Sequence, residues 1–110
     1  MSGSKIVPLD ELADISRKLK QKGDRVVQCH GAFDLMHAGH IRHLQRARVE
    51  GDALLVTITG DAYINKGPGR PVFNEQLRAE NLAALACVDY VALVQDATAV
   101  EALHKIQPSI

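Results

Sequence analysis

Arg25-Val26-Val27-Gln28-Cys29-His30-Gly31-Ala32-Phe33-Asp34-Leu35-Met36-His37-Ala38-Gly39-His40 holds the change of pattern that decides the fold. Arg25 to Cys29, with Val26-Val27 at its centre, predicts a short buried strand. His30 to Asp34 is a glycine-containing turn, where Gly31 lets the backbone approach a ligand closely. A helix then starts near Ala38 and runs to about Glu50. Ile41, Leu44, Ala47 and the stem of Arg48 line its inner side, and Gly51-Asp52 ends it. The amino end of such a helix presents free N–H groups and the positive end of a dipole at the carboxyl end of the strand.

The flanking segments repeat this alternation. Pro8 to Lys22 predicts a helix: Pro8 suits its first turn, Asp10 and Glu11 its positive end, and Lys18, Lys20 and Lys22 its negative end. Leu9, Leu12, Ile15 and Leu19 share one face, and Gly23 is the stop. Ala53 to Thr59 is nearly continuously apolar, as a central parallel strand covered on both faces must be. Gly60 to Phe73 holds three glycines and two prolines with Lys66 and Arg70, and predicts a long loop of the kind used as a lid. Asn74 caps a helix from Glu75 to about Cys87. Tyr90 to Val94 is a third strand, Thr98 caps a last helix through Ile106, and Ser109-Ile110 begins a fourth strand after Pro108.

Strands alternating with helices imply a single α/β domain: a Rossmann-like three-layer α/β/α sandwich on a parallel sheet with right-handed crossovers. Residues 1–24 form a helix preceding the core, and residues 25–110 form the core domain. Ligands in such sheets bind beyond the carboxyl ends of the strands, where strand order reverses. That rim gathers Gly31 to Asp34, the loop from Gly60 to Phe73 and the region after Val94.

Thirteen basic and 13 acidic residues cancel, which argues against a nucleic-acid or membrane-surface protein. Cys29 and Cys87 form no Cys-x-x-Cys pair, so a reduced, cytoplasmic setting is expected rather than a disulfide scaffold. No leader-like or membrane-spanning apolar run is present.

His37 and His40 lie three apart, on one helix face, with Gly39 between them allowing close packing or close ligand approach. Two imidazoles beside a helix amino end present donors to a polyphosphate. The chemistry this suits is attack on the α-phosphorus of a nucleoside triphosphate, which needs in-line positioning, donors for the developing charge and, with the nucleotide, Mg²⁺. His43 extends the spacing and raises a zinc reading. The lack of a nearby cysteine or suitable carboxylate, and the drift of i, i+3, i+6 round a helix, argue against it, so no metal held directly by protein is expected.

Gly31-x-Phe33-Asp34-x-x-His37-x-Gly39-His40 resembles the signature of the cytidylyltransferase-like nucleotidyltransferases. Gly67-Pro68-Gly69-Arg70-Pro71-Val72, Arg78, Leu82-Ala83-Ala84-Leu85 and Val88-Asp89-Tyr90-Val91 are similar to the adenylyltransferase domains that make ADP-heptose. The resemblance implies transfer of a nucleotidyl group from an NTP, ATP being favoured, to a phosphorylated small molecule such as a sugar 1-phosphate, releasing pyrophosphate. A CTP-using cytidylyltransferase of the glycerol-3-phosphate type, or a non-catalytic nucleotide-binding fragment, stays open. By the same resemblance His37 and His40 stabilise the transition state and Lys66 reaches the triphosphate from the lid. Gly31, Ala32, Phe33, Asp34, Gly39 and Arg78 bind the nucleotide, Arg78 through phosphate. His30 and Arg70 are candidate substrate or lid contacts, and a homodimer is expected. The chain departs from the family at His30, where asparagine, threonine or tyrosine is usual, and at Ala32, where a hydroxyl or thiol is common. It also ends before the family's Lys-Gly-x-Asp segment and Ser/Thr-rich loop, so a C-terminal truncation is expected.

Overall fold

The computed structural model describes residues 4–33, 36–63, 73–95 and 106–109. In chain order they form α1 (Leu9–Gln21), β1 (Val26–Gly31), α2 (Ala38–Val49), β2 (Ala53–Thr59), a 3-10 turn (Asp61–Tyr63), α3 (Glu75–Ala83) and β3 (Tyr90–Val94). The strands are parallel in the order β1-β2-β3, with Val26 beside Ala53 and Leu55 beside Tyr90.

Strand alternation divides the core between two faces. Val27, Leu54, Val56, Ile58 and Val91 turn to one side, where Leu44 of α2 and Ala79 and Leu82 of α3 cover them. Val26, Leu55 and Ala92 turn to the other, under Leu12 of α1 and Ile106. Six of the seven β2 residues, Ala53 to Ile58, are buried, which is why this strand is almost unbroken apolar sequence. The architecture is the three-layer α/β/α sandwich.

The N-terminal segment is part of this sandwich rather than a prelude to it. Ile6 bridges Val91 in parallel, and Lys5 O and Val7 N bond the two sides of that residue at 2.8 and 2.9 Å. The outer edge of β3 is thereby covered, and α1 forms one layer. Ser16 of α1 donates to Ile106 O (2.8 Å) and Lys20 to Gln107 O (2.6 Å), satisfying terminal carbonyls of the kind a helix leaves unpaired.

At the opposite edge Ser109 N donates to Val26 O (2.8 Å), and its hydroxyl accepts from Val26 N (3.1 Å). The chain steps from β1 outward to β3 and then returns to the far side of β1. The carboxyl end of β1 is therefore where strand order reverses. Ile110, the remainder of the expected fourth strand, and most of the expected helix from Thr98 to Ile106 lie outside the described residues.

One helix boundary differs clearly from expectation. α3 ends at Ala83, not Cys87, because the apolar Ala84-to-Val88 stretch continues as turns that carry the chain into β3. Gly51 is required where α2 passes into β2, since a Cβ there would lie 2.7 Å from Arg25 O. Among the described residues no helix is long and apolar enough to cross a membrane.

Candidate functional site

α2 begins with a cap made from two histidines. His37 is the N-cap, in extended conformation, and its Nδ1 accepts from Gly39 N at 3.0 Å. His40, three residues on, accepts the backbone N–H of His37 at its own Nδ1, at 3.1 Å. This is the reciprocal arrangement usually made by Ser or Thr with Glu, here made by imidazoles. A ring nitrogen that accepts carries no proton, so both rings hold theirs on Nε2. The ring centroids are 4.0 Å apart. Two donor nitrogens thus stand together at the amino end of a helix, where anions are favoured.

Gly39 is glycine because a Cβ would sit 2.8 Å from Cε1 and 3.0 Å from Nδ1 of His37. Gly31 is overlaid in the same way: its Cβ would meet the Phe33 ring at 3.0 Å. Phe33 has φ 51°, a left-handed conformation that bulky residues rarely adopt. That geometry folds its ring back over Gly31 and edge-on to His40, with centroids 6.1 Å apart at 69°. A cleft of about 420 Å³, within the range of small-molecule sites, opens between Gln28, His30, Gly31, Phe33, His40 and His43. A larger groove, about 580 Å³, lies at the amino end of β3 between Lys5, Glu11, Lys18 and Tyr90, away from the reversal point.

His30 sits on the opposite face of β1 from Phe33's packing. Its Nδ1 is 2.8 Å from Thr57 Oγ1 and its Nε2 is 3.4 Å from Thr59 Oγ1. Gln28 Nε2 donates to the same Thr57 hydroxyl at 3.0 Å, while Gln28 Oε1 is buried without a partner. The buried Thr57 hydroxyl thus joins Gln28 and His30 in one hydrogen-bonded row. This polar row was missed in the sequence. Its signal was there: Thr57 and Thr59 alternate with Val56 and Ile58 at period two.

Burial lowers the pKa of His30 below its usual value. Above the unfolded-state value both states are neutral and stability is fully present. As pH falls toward the depressed folded value, the unfolded chain binds the extra proton and stability is lost. The melting temperature of the wild type therefore falls more between pH 7 and pH 5 than that of His30→Asn, which keeps polar partners for the threonines. Equal slopes would mean that His30 is not the buried neutral group. Cys29, half-buried and near Cys87, has its thiol pushed up by burial first and by Cys87 second, so it remains a poor nucleophile.

Arg78 stands elsewhere than expected. Its side chain is 0% exposed and turned inward. Nε donates to Phe73 O (3.1 Å), Nη1 to Ala32 O (2.9 Å) and Thr59 O (2.7 Å), and Nη2 to Asp61 Oδ1 (2.7 Å). Asn74 caps α3 through Leu77 N (2.9 Å), as expected, and Glu75 accepts from Asp61 N (2.9 Å). Ala32 lines the cleft and gives its carbonyl to Arg78. His43 is exposed at the cleft mouth. Asp34, Lys66 and Arg70 lie outside the described residues. Among those described, no group of three or more His, Cys, Asp or Glu is placed to hold a metal ion.

A parallel α/β sheet whose reversal point carries a histidine-capped helix start defines a nucleotidyltransferase-class domain. The chain belongs to the cytidylyltransferase-like family, whose model matches residues 28–110. It is 43% identical over 111 residues to the bifunctional protein HldE of Pelobacter propionicus, covering 99% of this chain and 23% of that protein. It is 42% identical over 109 residues to HldE of Syntrophotalea carbinolica, covering 97% and 22%. The chain thus spans about a quarter of the length of these curated relatives. Among solved structures it resembles the lipopolysaccharide core biosynthesis protein of Thermoplasma volcanium, with TM-score 0.71 and 28% identity over 78% of this chain and 70% of the other.

Proposed function

We propose that this domain transfers a nucleotidyl group from an Mg²⁺-bound NTP, ATP in preference, to a phosphorylated small molecule of the sugar 1-phosphate class, releasing pyrophosphate. The carrying observation is the reciprocal histidine cap. Both Nδ1 atoms are occupied by backbone N–H groups, so both protons sit on Nε2 at the positive end of α2. In the proposed reaction an acceptor phosphate oxygen attacks the α-phosphorus, the bond to the bridging oxygen breaks, and pyrophosphate leaves. Negative charge gathers on the transferring group and the leaving group. Fixed donors that need no reorganisation stabilise that charge best. The likeness to HldE and to a lipopolysaccharide core biosynthesis protein supports a sugar phosphate as acceptor. Mg²⁺ enters as part of the nucleotide substrate.

The test is pyrophosphate release with ATP or CTP against a panel of sugar 1-phosphates and glycerol 3-phosphate. The expected result is release with ATP and one sugar 1-phosphate. Release only from CTP with glycerol 3-phosphate would move the reading to that reaction. Nucleotide binding by calorimetry without release from any pair would replace transfer with binding alone.

A further inference from the structure

Arg78 has the largest fully buried side chain among the described residues, and it is charged. Four of its five N–H donors are accounted for, and their acceptors come from three different rim segments. Ala32 belongs to the turn after β1, Thr59 and Asp61 to the end of β2 and its 3-10 turn, and Phe73 to the approach to α3. A phosphate drawing the guanidinium outward would take the donors from three partly buried carbonyls, which costs stability.

The bond to Ala32 O has a particular consequence. The β1–β2 ladder ends at Gly31 beside Ile58, so Ala32 has no strand partner. The next residue is Phe33, at φ 51°. A bulky residue persists there only when its surroundings fix it. Arg78 fixes the peptide that precedes it, the Phe33 ring packs over Gly31, and its edge meets His40.

We infer that Arg78 is a positioning residue for the proposed transfer: it holds the Ala32–Phe33 turn against the end of β2 and, through the Phe33 ring, orients His40, instead of binding nucleotide phosphate. This rests on the transfer reading above for its catalytic meaning, while the positioning itself is a property of the free protein. Lysine does not replace it. An ammonium keeps the charge but lacks the planar fork that reaches four acceptors.

The test uses the 110-residue chain with ¹⁵N-labelled histidine. Side-chain ¹⁵N resonances, which report tautomer, are recorded for wild type and Arg78→Lys without nucleotide. Then kcat and KM for the NTP are measured. The expected result is a displaced His40 signal together with a kcat lowered about 10- to 100-fold, the scale on which small misplacements act, at nearly unchanged KM. An unmoved His40 signal overturns the inference whatever the kinetics. So does an unmoved kcat with KM raised about tenfold, the mark of a direct ground-state phosphate contact. Should Arg78→Lys not fold, Asp61→Asn loosens the same guanidinium, spares its three carbonyl partners and is judged by the same readouts. Absence of pyrophosphate release from the wild type would sink the transfer reading alone, because the nucleotide-free resonances still decide the positioning.

Discussion

His40→Ala lowers pyrophosphate release by roughly 10²–10³-fold, the loss typical of one transition-state donor. The same substitution removes the acceptor for His37 N, and a lost cap costs about 1 kcal/mol of stability. For a domain of this size that is a fall of roughly 4–8 °C in melting temperature. The two effects separate in His40→Gln. A glutamine at the third helical position reaches back to the N-cap N–H as in an ordinary capping box, but it places no ring beside His37. The melting temperature recovers and the turnover does not. Assays run well below both melting temperatures, so the unfolded fraction cannot supply the difference. If His40→Gln restores turnover along with stability, the His40 imidazole is not required, and the proposed pair of histidine donors is not the source of the rate.

The layers of the fold were readable because burial writes itself into the sequence. β2 is covered on both faces and so is nearly continuously apolar, and Leu9, Leu12 and Leu19 recur at the helical period because α1 lies on the sheet. Contacts made by backbone leave no such trace. The Ile6–Val91 bridge is peptide pairing over a few residues and has no pattern to detect. Arg78 shows the same limit at the site. On a helix between Glu75 and Glu80 it has the look of a surface cation, and three of its four acceptors are carbonyls, which every residue type carries alike. The histidine motif was found through its spacing, yet its capping geometry was not, because the familiar cap residues are Ser, Thr, Asp and Asn. What the structure adds is that the spacing required for donors is also the spacing of a reciprocal cap.

That coincidence sets the outcome for Gly39→Ala. In an ordinary helix the change is favourable by roughly 0.5–1 kcal/mol, since glycine loses more backbone entropy. Here the new methyl would lie 2.8 Å from Cε1 of His37, so the ring must swing away. His37 is exposed, and solvent gives it room to do so. The swing withdraws Nδ1 from Gly39 N and forfeits a cap worth about 1 kcal/mol. Gain and loss nearly cancel, and the melting temperature stays close to that of the wild type. Turnover has no such compensation. His37 leaves its place 4.0 Å from His40, and a donor misplaced by about 1 Å costs up to roughly 10²-fold. The expected variant is a stable protein with pyrophosphate release reduced by one to two orders of magnitude, measured at saturating nucleotide with thermal melts alongside. A stable Gly39→Ala variant with wild-type kcat would show that the position of the His37 ring is immaterial to the reaction, and with it that the paired donors are not the source of the proposed catalysis.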